Sequence, residues 1–389
     1  MGGMTTDADR RDAAVERLGL MDTDPEERYD RITRLAKDVF DVDHAVVNIV
    51  DSTTIFTKSQ PAGGTFRHTP QEDSFCAVTV QQDDLLEVDD ATRDDRFSDR
   101  AIVTEHGIRF YAGLPLKTED GDTVATLCLL DPEPRTLSDE DREAFTRMGA
   151  WAEAEIRLDD QRTTPGASAP VLDAVDGDDV SVSTLAIPYG AVSGDRGAWR
   201  QTGSSVRVAL TDVMGKGEAQ GALAQRIVGA LLEGSGDHED EGALEAVLRV
   251  EEELEAQHAL DVTFATLFHA AIDTTTGRVE YVDAGHGLTL HVAADGSLTR
   301  LASHNLPLGL RPPGVPWEPG ELTVSSGDLL ITVSDGVLDA YDSTLESLRM
   351  LADDLRAARE TRAFLDHLTV KVSEHVVDDD VTAVVVEVH

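Results

Sequence analysis

The chain has 389 residues, 41% of them hydrophobic and 28% charged, with a formal net charge of −42 at pH 7. That length exceeds one ordinary core and implies two domains, and the apolar share excludes a disordered chain. An acid excess spread over both halves repels nucleic acid and anionic membrane, so neither is expected as a partner.

No apolar run reaches the roughly 20 residues of a bilayer span, and the N-terminal string MGGMTTDADRRDAAVERLG lacks an apolar signal core. Two cysteines, Cys76 and Cys128, are too few for a disulfide framework and fit a reducing, cytoplasmic location. Their settings, DSFCAV and ATLCLL, predict buried and inert thiols.

Taken along the chain, residues 13–40 carry an amphipathic helix pair, with Pro25 placed to open the second helix. Strands are predicted over 44–51, 54–59, 85–90, 111–118 and 123–131, with a turn at Asp120-Gly121-Asp122. A long helix follows over 138–158, with Ser138 as N-cap and Asp141 three residues on. The order suits a six-stranded antiparallel sheet flanked by terminal helices. The string LMDTDPEERYDRI (20–32), then EDSFC (72–76), DDRF (94–97), IRFYAG (108–113) and Leu127-Cys128 resembles the GAF sensory domains of bacterial signalling proteins across residues 12–160. The resemblance implies either a small-ligand pocket on one face of the sheet or a dimerisation module. His44, Ser74, Phe75, Cys76 and Arg109 are the candidates to line such a pocket; core packing around an empty pocket is the competing reading. A homodimer through the 138–158 helix is the corresponding partner expectation.

The small, polar string QRTTPGASAP (161–170) reads as a linker. Beyond it, strands are predicted over 180–192, 204–213, 263–273, 277–285, 288–294, 327–336 and 380–388, and helices over 218–234, 242–258 and, as a pair, 345–376. Mixed strands and helix pairs make this half, 171–389, a two-sheet sandwich with helices on both faces, and the whole chain α+β.

Four acidic signatures in this half lie at strand edges: Ser193-Gly194-Asp195, Thr211-Asp212-Val213-Met214-Gly215-Lys216-Gly217, Ser334-Asp335-Gly336 and Asp378-Asp379-Asp380-Val381-Thr382. One Asp-Gly alone marks an ordinary turn. Carboxylates gathered from several strand ends make an oxygen-rich site for hard divalent cations, and such sites serve phosphate chemistry. In order, SGD, TDVMGKG, DAGH (283–286), LPLGL (306–310), SGDLLITVSDGVLDA (326–340) and DDDVT resemble the SpoIIE-type, PP2C-like bacterial serine/threonine phosphatases over 180–388. The chain departs from that pattern at Arg196–Trp199, where an aromatic residue and a second Asp are usual, and at Thr211, Gly287 and Leu288.

The resemblance implies a PP2C-like αββα sandwich and two divalent cations, Mn²⁺ or Mg²⁺. Asp212 would bridge the two ions and the Val213 carbonyl would join one of them. Asp335 and Asp379 would hold the ion that Asp212 shares, and Asp195 the other. Asp212, Asp335 and Asp379 would then act through bound metal and water on a phosphoserine or phosphothreonine ester. The implied substrate is a phosphorylated anti-sigma-factor antagonist, with the GAF domain and its unknown small ligand regulating hydrolysis. Lys216 reads as a surface or phosphate-contacting turn residue, and His286 as packing at a turn. The alternatives are a catalytically inactive PP2C-like scaffold and a small-ligand receptor in the same kind of pathway.

Overall fold

The structure, a computed structural model, describes residues 6–60, 67–160, 170–190, 192–215, 217–233, 241–260, 263–312, 314–358, 360–375, 377 and 379–389. The expected linker, apart from Pro170, lies outside these, as do Lys216 and Asp378. The chain divides into two compact units, Met1–Thr163 and Thr164–His389. Among the described residues, no helix is long and apolar enough to cross a membrane.

In the first unit, helices α1 (Asp7–Leu18) and α2 (Glu27–Phe40) lead into β1 (His44–Val50), β2 (Thr54–Ser59) and β3 (His68–Pro70). The short helix α3 (Cys76–Thr79), strand β4 (Leu86–Val88) and helix α4 (Ala101–Thr104) follow, then β5 (Phe110–Lys117), β6 (Thr123–Asp131) and α5 (Asp139–Asp160). The antiparallel sheet runs β3-β2-β1-β6-β5-β4. Its sixth strand is the three-residue β3, too short and polar to stand out in the sequence.

Helix α5 forms where the pattern places it. The Ser138 hydroxyl accepts from the Asp141 N–H at 3.0 Å, and the Asp141 carboxylate accepts from the Ser138 N–H at 3.0 Å, a closed capping box. Phe145, Met148, Ala152 and Ile156, spaced three and four apart, are buried together with Trp151, and the helix packs on β5 and α2. Its apolar stripe is therefore covered within its own domain.

Within that packing, Glu155 accepts from Arg31 and from the Trp151 indole, each at 3.1 Å, with both charged groups buried. Removing one partner of a buried pair costs about 3–5 kcal/mol. Glu155→Ala should lower the unfolding free energy of this domain by that amount in urea melts, whereas the exposed Glu143→Ala should change it by less than about 1 kcal/mol.

In the second unit the order is β7 (Val171–Asp176), β8 (Val180–Ile187), β9 (Asp195–Thr202), β10 (Ser205–Val213), α6 (Glu218–Glu233), α7 (Ala243–Ala256), β11 (Ala265–Asp273) and β12 (Arg278–Ala284). It continues with β13 (Thr289–Val292), β14 (Leu298–Leu301), β15 (Gly320–Thr323), β16 (Leu329–Val333), α8 (Glu346–Ala358), α9 (Thr361–Glu374) and β17 (Val381–Val388). One sheet runs β15-β12-β11-β10-β9 and the other β14-β13-β16-β17-β8-β7.

Strand alternation builds four layers from these sheets. On β10, Val206, Val208 and Leu210 meet Val182, Val384 and Val386 of the opposing sheet, while Ala209 and Val213 meet α6 and α7. On β17, Val384 and Val386 face the gap and Val381, Ala383 and Val385 face α8 and α9. This is the two-sheet sandwich with helices on both faces that the mix of strands and helix pairs predicted, and the αββα order that the resemblance implied. One boundary that differs bears on the site. The strand expected over 180–192 stops at Ile187, and Asp195 opens the polar strand β9 instead of following an apolar one.

Candidate functional site

The acids converge at one end of the gap between the two sheets. Asp195 and Asp212 are direct partners in the β9–β10 ladder, so their side chains share a face. Asp212 has the parity of Val208 and Leu210, which makes that face the one turned to the opposing sheet. Like charges directly opposite on neighbouring strands destabilise a sheet. Asp195 is 8% exposed, and its Oδ2 is buried without a hydrogen-bond partner. Burial first, then Asp212, Asp380, Asp379 and Asp335 in turn, hold its carboxyl well above the usual carboxylate range.

Two further side chains bring the opposing sheet to this corner. Asp380, which the sequence reading left without a role, accepts from the Tyr189 N–H at 2.7 Å and the Gly194 N–H at 2.8 Å, tying the entry of β9 to the entry of β17. The Ser334 hydroxyl donates to the Asp380 carbonyl at 3.1 Å and accepts from the Thr382 N–H at 2.8 Å, which fixes the exit of β16 against β17. Asp335 starts the 3₁₀ turn just past β16, and Asp379 lies two residues before β17. A Cβ on Gly336 would sit 2.2 Å from the Asp380 carbonyl, so only glycine allows this approach. The signal for Asp380 and Ser334 was present in DDDVT and SDG; what hid it was that three consecutive aspartates cannot be told apart without the fold.

The donor chemistry here fits hard divalent cations: oxygen ligands only, one orphaned carboxylate oxygen, and mutual repulsion that a cation relieves. A Cβ on Gly194 would meet the Val213 carbonyl at 3.0 Å, the Gly215 carbonyl at 3.2 Å and the Asp380 carboxylate at 3.8 Å, so oxygens also crowd the neighbouring loop. Among the described residues no three acidic, histidine or cysteine side chains are gathered closely enough to hold an ion as they stand. His286 packs at a turn, with its N–H on Asp283 at 2.9 Å and its Nε2 2.9 Å from the Thr332 hydroxyl.

The pocket candidates of the first unit divide. His44, Ser74, Phe75 and Cys76 line a cavity of about 40 Å³, together with Asn48, Thr57, Tyr111 and Cys128 among others. At roughly 10–15 Å³ per ordered water, that is space for a few waters. Arg109 does not line it. Its guanidinium donates to Asp90 at 2.8 Å at the surface, because the residue precedes β5 and pairs with the loop after β4.

The raised carboxyl of Asp195 has a definite sign. Its folded pKa lies above its unfolded one, so the folded state binds the extra proton, and metal-free stability falls as pH rises through that window. Metal-free Asp195→Asn should therefore melt higher than the parent at neutral pH and show a flatter pH dependence, and Mn²⁺ should raise the parent's melting temperature more than the variant's. Thermal melts with and without chelator read both effects.

Residues 202–389 match the family model of stage II sporulation protein E (SpoIIE), and residues 24–156 match that of the GAF domain. The chain is similar, at 38% identity over 130 residues, to a cyclic di-GMP phosphodiesterase of Pseudomonas aeruginosa, covering 33% of this chain and 22% of the relative. It is also similar, at 25% identity over 191 residues, to the phosphoserine phosphatase RsbU of Bacillus subtilis, covering 48% of this chain and 54% of the relative. The chain thus spans about half or less of these curated relatives. A crystal structure of the RsbU and RsbW domains of a Mycobacterium tuberculosis protein aligns at 23% identity with TM-score 0.45, over 58% of this chain and 61% of the other. The chain carries a GAF domain followed by a SpoIIE-type domain.

Proposed function

We propose that the second unit is a metal-dependent phosphoserine/phosphothreonine protein phosphatase, regulated by the GAF domain and acting in the cytoplasm. The observation that carries the reading is the Asp195–Asp212 ladder pair, with Asp195 buried and one of its oxygens orphaned, facing the side on which Asp335 and Asp379 enter. Asp195, Asp212, Asp335 and Asp379, with the Val213 carbonyl, would hold two divalent cations, Mn²⁺ or Mg²⁺. Bound there, the ions would supply Lewis-acid polarisation of a phosphate ester and of the attacking water.

The chain's own residues explain why cations are required. Several carboxylates at one corner repel a phosphate dianion as strongly as they repel one another, so substrate and site are compatible only once that charge is neutralised. Asp380 and Ser334 act as positioning residues that hold the two sheets' strand ends in register. The RsbU relative supports a phosphorylated regulatory protein as substrate, and we take the anti-sigma-factor-antagonist class as the first candidate. For the first unit, a partly open cavity with room for a few waters supports a sensor of a very small molecule.

A second reading, a scaffold that binds a phosphoprotein without hydrolysing it, draws on the absence of a closed ligand trio among the described residues. One variant separates the two. Asp212→Asn should lower Mn²⁺-dependent hydrolysis of a phosphoserine protein by about a thousandfold or more, a barrier change of about 4 kcal/mol, while the protein still melts cooperatively. Turnover undiminished in that variant contradicts the catalytic assignment, and absence of any turnover in the parent with Mn²⁺ favours the scaffold.

A further inference from the structure

The two cysteines of the chain, 52 residues apart in sequence, touch. The Cys76 and Cys128 sulfurs lie 3.6 Å apart, both thiols buried, on the wall of the cavity in the first unit. The fold brings them together from opposite directions. Cys128 is carried by β6, paired with Val46 of β1 and Gly113 of β5. Cys76 opens α3, whose Thr79 hydroxyl lies 2.6 Å from the Tyr111 hydroxyl. The Tyr111 ring reaches that hydroxyl by lying along its own strand over Gly113, where a Cβ would stand 2.0 Å from the phenol oxygen. The same phenol oxygen is 3.4 Å from the Cys128 sulfur, and Phe75 stacks on the ring at 4.5 Å.

The sulfurs are not equivalent. Cys76 accepts from the Asn48 amide and from the Thr126 hydroxyl, each at 3.3 Å, and such donors stabilise a thiolate. Cys128 lies beside the phenol in the apolar layer and is held well above the ordinary thiol range by burial, while contact with Cys128 and the donors of Thr126, Ser74 and Asn48 draws Cys76 down to about 6. The adjoining cavity has room for a few waters, and three residues of its wall, His44, Thr69 and Leu130, are partly exposed. A molecule of water-like size and polarity fits that space, and a peroxide is one.

We propose that Cys76 and Cys128 form a peroxide-oxidised dithiol site, with Cys76 as the attacking sulfur and Cys128 as the resolving one. The Cys76 sulfur attacks one oxygen of hydrogen peroxide, the O–O bond breaks, and the departing hydroxide leaves as water with the proton that Cys76 gave up. Cys76 is then a sulfenic acid. The Cys128 sulfur attacks the Cys76 sulfur, the S–O bond breaks as the S–S bond forms, and the hydroxide leaves as water with the Cys128 proton. Two thiols lose two electrons, one peroxide becomes two waters, and the sulfurs close from 3.6 Å to about 2 Å. The proposal is independent of the phosphatase reading and adds a chemical input to the sensor unit.

The test uses the full chain, reduced, freed of reductant and exposed to hydrogen peroxide. Expected are loss of both titratable thiols, a Cys76–Cys128 cross-linked peptide lighter by two hydrogens within one chain, and full reversal by dithiothreitol. Cys128→Ser should accumulate a dimedone adduct on Cys76. Should that variant fail to fold, the wild-type peptide map decides alone. Both thiols remaining titratable under peroxide that oxidises a free thiol, a disulfide joining two chains, or sulfenic acid on Cys128 alone would each overturn the proposal.

Discussion

Two carboxylates set directly opposite one another at the end of an apolar gap are a cost that the second domain carries in its fold. Asp195 and Asp212 occupy ladder positions that an ordinary sheet fills with an apolar or oppositely charged pair. The rest of the corner keeps them there. The apolar rows Val206–Leu210 and Val384–Val386 close the gap behind them, and Asp380 and Ser334 lock the opposing strand ends in place. Close-packed layers make this arrangement stiff, so the repulsion cannot be relaxed by letting the strands slide. Protons or cations would relieve it, and near neutral pH cations would do so without disabling the carboxylates.

The four-layer fold was legible because its inner strands alternate or run apolar, as on β10 and β17, where every second residue has a different layer to meet. What escaped was polar and peripheral. Strand β9 reads DRGAWRQT, exposed along much of its length, and it is defined by pairing with β10 and not by its own pattern. Missing it placed Asp195 at the end of one strand when it stands at the start of the next. The edge strands β7, β14 and β15 and the three-residue β3 escaped for the same reason: half or more of each side is water, so composition carries little signal.

At the level of single side chains the sequence named the acidic corner but weighted its members differently. Asp195, whose altered neighbours set it apart from the family pattern, is the residue with the clearest unmet demand, an orphaned buried oxygen. Asp380 hid inside a run of aspartates, and what marks it as the one that staples backbone is its bonds to the Tyr189 and Gly194 N–H groups, which no local string shows. Arg109 sits beside a pocket-lining strand in sequence yet leaves for Asp90. The contact of Cys76 with Cys128 exists only once β1, β5, β6 and α3 are assembled, and no local string predicts it.

A cation bound at the Asp195–Asp212 corner would join the fold to the proposed chemistry. The most direct measurement is anomalous diffraction from crystals of the full chain grown with Mn²⁺, recorded at the manganese edge. Anomalous density is expected between the Asp195 and Asp212 carboxylates, within bonding distance of both. Saturating Mn²⁺ with no anomalous density at that corner, and both carboxylates placed as they are here, would contradict it.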